Sequence, residues 1–518
     1  MIGTISKQNI SLFFQMRLSH NVWASSATRN FRLLSGCPRT ETTYTATPHT
    51  RDVDGATSTT TNVRPFTDIP LVKGKPLIGS SLEVLSNMRE LHKLLDRRIR
   101  EYGPVYREQL GIGEQAQMVF TANPDDWKNI LYGEVRGTPA GRMKLWSLDA
   151  YSRARDTVGN YFNLEGKDYE HAKEGIKPLL MPKNVAKLVP DLCVVTDDLM
   201  DRFAEERDGS NTIHDVRELI HKWTFECGGW IVYQTRFGLV KKNPEDAQFT
   251  ADMFKFYNHA RDFFSLICEL ETGMPHHRTK LTPTWFKFVR TFDEIKEYCT
   301  KLYHSHGEHI VNPDVDYTHA QRVAHAQSVV LASADTTAHS ATWILVELSY
   351  NPELQEKLYE EITQKTKDGG DVNLQIPYLR GFLREMFRVR PLTALNNKIL
   401  AEDLVVSGYH VPAGCTVNML THNYNQHDWF SDADEIRPER WFRGAEGEAV
   451  HPFTVLPFGH GQRSCMGRRI AENELLIFIS KLVKRFRVSF VKPRDEIDSK
   501  FTLMVVPNSE VAIKFEER

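Results

Sequence analysis

Cysteine is scarce in this chain: seven in 518 residues, with no C-x-x-C pair. That spacing speaks against a zinc ribbon or a thioredoxin-type redox pair. So few cysteines in so long a chain also speak against a disulfide scaffold, and a reducing compartment fits. Most of the seven are expected to be small buried hydrophobes. No run of 18 apolar residues occurs, so a membrane-spanning helix is not expected. Charge of one sign is lacking too: 65 basic residues face 67 acidic ones, a net of −2. A global attraction to nucleic acid is therefore excluded, and any charged docking surface has to be local. No Gly-rich dinucleotide fingerprint is evident, so a nicotinamide cofactor is not expected to bind here.

Acidic residues are absent from positions 1–40, which carry Lys7, Arg17, Arg29, Arg32 and Arg39 among frequent serines. Ile10, Leu12, Phe13, Phe14 and Met16 add a short apolar segment. A basic, acid-free, Ser-rich start has the character of a mitochondrial transit peptide. Residues 1–63 are accordingly read as transit peptide and linker, and 64–518 as the folded unit. Length alone suggests about three domains at roughly 150 residues each, or one large helical domain.

Along 64–518 the apolar spacing is mostly helical. A helix is expected over Leu82–Tyr102, strands over 105–109 and 117–121, and a helix near 126–132. Steps of three and four recur through Leu188, Leu192, Val195, Leu199 and Phe203. Residues 321–350 form one apolar-rich stretch of about 45 Å as a helix, closed by Asn351-Pro352. Strands are expected at 404–406, 410–411, 502–506 and 511–514. The fold class is mainly α with minor β.

One segment concentrates unusual residue types: Phe458-Gly459-His460-Gly461-Gln462-Arg463-Ser464-Cys465-Met466-Gly467. Glycines let the backbone turn through positive φ and approach a flat object closely. Cys465 is the soft ligand there, and Arg463 a fixed cation two residues before it. A Gly-rich loop around an inert cysteine has the same composition, but the spacing Phe-Gly-x-Gly-x-Arg-x-Cys-x-Gly is far more specific. Upstream lie Glu385-x-x-Arg388, one helical face apart in spacing, and Arg440 in Pro-Glu-Arg. Ala332-Ser333-Ala334-Asp335-Thr336-Thr337 puts an acid and hydroxyls inside the long apolar helix, which is costly unless they are used or satisfied.

These motifs, in this order, resemble the cytochrome P450 family over roughly residues 65–518. The resemblance implies a single large domain with haem between the long central helix and the Cys-loop helix. Cys465 is then the proximal ligand to the iron of haem b, whose thiolate character favours O–O cleavage. Phe458 packs beside it, Gly459 and Gly467 shape the loop, and Arg463 contacts a propionate. Tyr169, Lys173 and Lys398 stand where the family has further propionate partners, Lys398 in place of an arginine fork. Glu385, Arg388 and Arg440 form a structural network. Thr336 hydrogen-bonds O2 and Asp335 relays protons from solvent, with Ser333 where the family usually has Gly.

Arg380, Arg384, Arg468 and Arg469 match basic positions with which mitochondrial members dock an acidic ferredoxin; Lys481, Lys484 and Arg485 continue the run. NADPH then serves indirectly, through ferredoxin reductase and ferredoxin. The implied protein is a monomeric monooxygenase of a small lipophilic substrate, steroid- or sterol-like or xenobiotic. It is peripheral on the matrix side of the mitochondrial inner membrane. Trp285 and Phe286 are either membrane contacts or core. Segments 142–161, 327–335, 392–397 and 502–506 are expected around the substrate, Asn396 and Asn397 either orienting it or forming a turn. Two other readings stay open: a haem–thiolate isomerase or dehydratase acting on a peroxide without external electrons, and a non-catalytic haem-binding protein.

Overall fold

The computed structural model describes residues 63–518, apart from 113–115, 136–140, 158, 160, 242–245, 308–311, 313, 367–371, 423–425, 443 and 445–448. The expected transit segment lies outside the described residues. The helices are α1 (Ser81–Ser86), α2 (Leu91–Tyr102), α3 (Pro124–Val135), α4 (Trp146–Arg155), α5 (Gly166–Leu180), α6 (Pro182–Glu206), α7 (Arg217–Tyr233) and α8 (Ala247–Thr272). They continue as α9 (Pro283–His306), α10 (His319–Tyr350), α11 (Pro352–Lys365), α12 (Pro377–Val389) and α13 (Arg468–Arg485). The helix expected over 82–102 is two helices. Asn87 ends the first: its backbone amide and its Nδ2 both donate to the Glu83 carbonyl, at 3.0 and 2.9 Å.

Strands β1 (Val105–Gln109), β2 (Gln117–Thr121), β3 (Thr212–Ile213), β4 (Asn396–Ile399), β5 (Leu404–Val406), β6 (Tyr409–Val411), β7 (Thr416–Met419) and β8 (Phe486–Phe490) precede three more at the C-terminal end. These are β9 (Ser499–Phe501), β10 (Val505–Pro507) and β11 (Ile513–Glu517). The largest sheet runs β1-β2-β7-β4, with β2 and β7 parallel and the outer pairs antiparallel. The single strand expected over 502–506 is instead a hairpin. Leu503 takes φ +66 between β9 and β10, and Thr502 donates its amide to the Met504 carbonyl at 2.8 Å.

The long helix α10 is the axis of the molecule. Thr318 and Gln321 cap its start reciprocally, and Pro352 opens α11 immediately after its end. Its second half is buried almost all round, from Ala341 to Leu348, which is why no single polar stripe shows in the sequence. Helix α7 lies against it. A Cβ on Gly228 would stand 2.5 Å from Ser333 Oγ, so glycine there makes room for the serine on α10. Ser333 Oγ donates back to the Val330 carbonyl at 3.0 Å. Its hydroxyl is therefore seated against α7.

The core also encloses an acid. Glu474, on α13, is 1 % exposed, with Thr337 and Cys227 as its polar neighbours, and burial pushes its carboxyl up to about 8. The fold therefore holds a proton that the unfolded chain releases near its ordinary pKa of roughly 4.3. The resulting stabilisation is full below that pH, declines as pH rises and is gone above about pH 8. Glu474→Gln is expected to remove this slope, which is at most about 1.4 kcal/mol per pH unit. Urea midpoints of both proteins at pH 5.5 and pH 8 check it: the variant should gain on the parent as pH rises.

Candidate haem site

Two turns through positive φ, at Gly459 (+65) and Gly461 (+80), fold residues 458–467 into a compact loop ahead of α13. The Cys465 amide donates to the Phe458 carbonyl at 2.8 Å and closes it. Burial pushes the Cys465 thiol up. The backbone N–H groups of Gly467 and Arg468, and the Arg468 charge, work the other way. The sulfur is nevertheless accessible at the loop surface. Burial outweighs the amides and the Arg468 charge, and the free thiol stands above its ordinary value; bound to haem iron, the sulfur would keep two amide donors at a helix start to support it as a thiolate. Phe458 packs edge-on against Phe387 at 5.2 Å between centroids, with the Arg468 guanidinium 5.7 Å from its own ring.

Three of the expected propionate partners, Tyr169, Lys173 and Arg463, gather at this loop. Lys173 donates to the Gln462 carbonyl at 3.3 Å, and Tyr169 reaches the same carbonyl at 3.5 Å. The Arg463 guanidinium lies 3.6 Å over the Tyr169 ring and donates to the Tyr161 carbonyl at 3.4 Å. Burial raises the Tyr169 hydroxyl, while Arg463 and Arg142 lower it. Arg142 is thus a further cation at this cluster, where sequence reasoning placed it only along the substrate segment. Its signal is spatial: Gly141 bridges to Ile399, and the Met143 amide donates to Asn397 Oδ1 at 2.9 Å. Lys398 is buried on β4 next to those asparagines. Asn396 and Asn397 are therefore strand residues, and neither forms a turn.

Helix α10 reaches the same region. Its Val329 and the loop's Met466 pack on one small cluster with Tyr161, Tyr169, Ala172 and Ile176. Thr336 is exposed on α10, its hydroxyl donating to the Ala332 carbonyl at 3.0 Å. The Ala334 carbonyl accepts a 2.7 Å hydrogen bond from Thr224 on α7, a second claim on a helix carbonyl beside the acid–alcohol pair. Asp335 faces α7 and meets His221 Nδ1 at 3.6 Å and His339 Nε2 at 3.5 Å. Burial acts against the Asp335 charge; His339, His221 and Arg261 outweigh it and hold the carboxyl below its ordinary value. Burial also pushes His221 down to about 3.

Behind the loop, Glu385 and Arg388 form a fully buried bidentate pair, 2.9 and 2.7 Å. Arg440 Nε lies 3.3 Å from Glu385 Oε1. The Arg437 amide and the Trp441 indole also donate to Glu385, and Arg388 donates on to the Ala433 and Glu435 carbonyls. The three expected residues are brought together: Arg388 pairs bidentately with Glu385, and Arg440 adds its charge to the same carboxylate while its other guanidinium nitrogens donate to the Ser431 and Asp432 carbonyls.

The basic run divides. Arg380, Arg384, Arg468 and Arg469 are exposed on α12 and α13, which pack on each other. Arg468 pairs along its own helix with Glu472 at 2.9 Å, whereas Lys481 and Arg485 pair across to Asp197 and Asp201 of α6 at 2.8 and 2.5 Å. These two tie α13 to α6 and stand apart from the four arginines. Trp285 is core, stacked on Trp146, and Phe286 points outward. A cavity of about 170 Å3 is lined by Tyr151, Arg155, Phe292, Gln327 and Ser328 among others. It joins two of the four expected substrate segments, 142–161 and 327–335.

Comparison with known proteins agrees with this geometry. The family model for Cytochrome P450 matches residues 69–515. Cytochrome P450 CYP12A2 of Musca domestica is 29 % identical over 507 residues, covering 89 % of this chain and 93 % of the relative. The mitochondrial 1,25-dihydroxyvitamin D(3) 24-hydroxylase of Mus musculus is 26 % identical over 472 residues, covering 87 % and 89 %. A retinoic-acid-bound cyanobacterial P450 superposes with a TM-score of 0.71 at 15 % identity, over 88 % of this chain and 100 % of that one. The Cys465 loop, the buried Glu-Arg-Arg bracket and the family match thus agree, and the chain belongs to the cytochrome P450 family of monooxygenases.

Proposed function

We propose that this protein is a ferredoxin-fed mitochondrial monooxygenase of a small lipophilic, steroid- or sterol-like or xenobiotic substrate: R–H + O2 + 2e⁻ + 2H⁺ → R–OH + H2O. Haem b, when bound, supplies the chemistry of oxygen activation. Cys465 offers the axial sulfur, with Phe458, Gly459 and Gly467 fixing its loop. Arg463, Tyr169, Lys173 and Lys398, joined by Arg142, offer donors and positive charge to the propionates. Thr336 offers a hydroxyl to O2, and Asp335 carries protons inward. Electrons come from NADPH through ferredoxin reductase and ferredoxin. The protein acts as a monomer, led to the matrix by its acid-free N-terminal segment.

The observation that carries the electron route is the set of exposed arginines on α12 and α13, the second of which starts at the Cys465 loop. Exposed charges of one sign steer an acidic partner and gain rate from it. Peripheral contact with the inner membrane rests on the α8–α9 connection and the first turn of α9. There Met274, Leu281 and Phe286 are 58 %, 77 % and 59 % exposed, beside Lys280 and Lys287. The relatives named mitochondrial support the compartment.

Arg380→Glu with Arg384→Glu is expected to raise the KM for ferredoxin roughly ten-fold or more, equivalent to about 1.4 kcal/mol. Haem content and peroxide-driven turnover should stay at the parent's level. Ferredoxin kinetics unchanged from the parent would overturn the route.

A further inference from the structure

Asp335 belongs to a second constellation that oxygen chemistry does not call for. His221 comes from α7; Asp335 and His339 sit one turn apart on α10. One ligand atom from each lies within 4.8 Å of the other two. The carboxylate oxygen Oδ1 is 3.6 Å from His221 Nδ1 and 3.5 Å from His339 Nε2. A charge-assisted hydrogen bond closes to about 2.7–2.9 Å, and both imidazoles stop short of that. Donors on one tetrahedral ion, with bonds of about 2.0–2.1 Å, stand roughly 3.3 Å apart. Two of the three edges are near that value, and small side-chain rotations close the third. The imidazole rings are 4.9 Å apart at 84°, so they do not stack.

The scaffold under these side chains is rigid. Thr224 Oγ1 bonds the Ala334 carbonyl at 2.7 Å, one residue before Asp335. Gly228 and Ser333 set the approach of the two helices. The side chains remain 8 %, 13 % and 14 % exposed for His221, Asp335 and His339, enough for an ion to enter. Arg261, held at 3.0 Å by the Tyr257 hydroxyl, also faces Asp335 and opposes a dication.

We propose that His221, Asp335 and His339 form a binding site for a divalent transition metal of the zinc type, next to the oxygen-activating residues. Two imidazoles and one carboxylate suit zinc rather than magnesium or calcium, and three ligands leave a position for water. The occupied site takes Asp335 out of the proton path. That consequence rests on the function proposed above; the site itself does not.

The test uses the haem-loaded full chain. Zn2+ binding is measured by competition with a chromophoric chelator, and zinc X-ray absorption reports the ligands. One tight equivalent is expected, with two imidazoles in its shell. His221→Ala and His339→Ala are each expected to weaken that equivalent by more than about 100-fold, the upper end for loss of an outer-shell partner. The CO-bound spectrum checks that each variant has kept its fold. Should a variant fail to fold, the parent's spectrum decides alone. A zinc shell without imidazole, or a tight equivalent that survives both substitutions, overturns the site. Turnover should fall as the parent's site fills. Binding as expected with turnover unchanged upholds the site and overturns only the proton role of Asp335.

Discussion

Cys465→Ala is expected to bring substrate oxidation down to the level of protein without haem and to remove the red-shifted thiolate band of the reduced, CO-bound spectrum. The fold should survive, because Cys465 contributes no core packing: it is exposed and lies in a loop closed by backbone hydrogen bonds. The substitution removes the sulfur and leaves the two amides of Gly467 and Arg468 with nothing to support. Met466, the other sulfur in the loop, packs with Tyr169 and Ile176 on the α5 cluster and supplies no thiolate. Circular dichroism and haem content separate this outcome from unfolding. A Cys465→Ala protein that kept a thiolate-type spectrum would remove the sulfur from its assigned place.

The second large effect is on stability. Glu385→Ala is expected to destabilise the fold by about 3–5 kcal/mol, the usual cost of stripping one partner from a buried ion pair. That is a large part of the 5–15 kcal/mol typical of a whole domain. The reason is visible in the contacts of Glu385. It receives Arg388 through two bonds, the Arg437 amide, the Trp441 indole and the Arg440 guanidinium, all in a region closed to water. Removing it leaves two guanidinium groups uncompensated. Glu385→Gln should fare only modestly better, because it keeps the shape and loses the charge. Urea midpoints and the yield of haem-loaded protein measure the effect. An unfolding free energy within about 1 kcal/mol of the parent (roughly a fifth of the smallest typical domain stability) would mean that the bracket is dispensable.

Much of the fold and the site is legible in the sequence because the chemistry is local. The Cys465 loop is contiguous, so spacing alone carries it. Glu385 and Arg388 are one turn apart, and the structure shows them paired. The long helix announces itself by apolar length and by Pro352 at its end. What escapes depends on residues distant in sequence. Ser333 reads as a change in the groove of α10; Gly228, on another helix, accommodates it. Lys481 and Arg485 read as surface charge; Asp197 and Asp201 of α6 claim them. The hairpin in place of a strand over 502–506 turns on a left-handed Leu503, which no local preference for leucine foretells. His221 gives no sign in its own segment that it meets Asp335.

The most direct measurement of this function is turnover under 18O2 of the haem-loaded protein, reconstituted with NADPH, ferredoxin reductase and ferredoxin. A steroid-like substrate or lipid extract supplies the R–H bond. The expected result is one 18O atom per product molecule, strict dependence on ferredoxin, and a rate that falls as salt screens the arginine face. Product formed without any electron donor, or carrying no 18O, would contradict it.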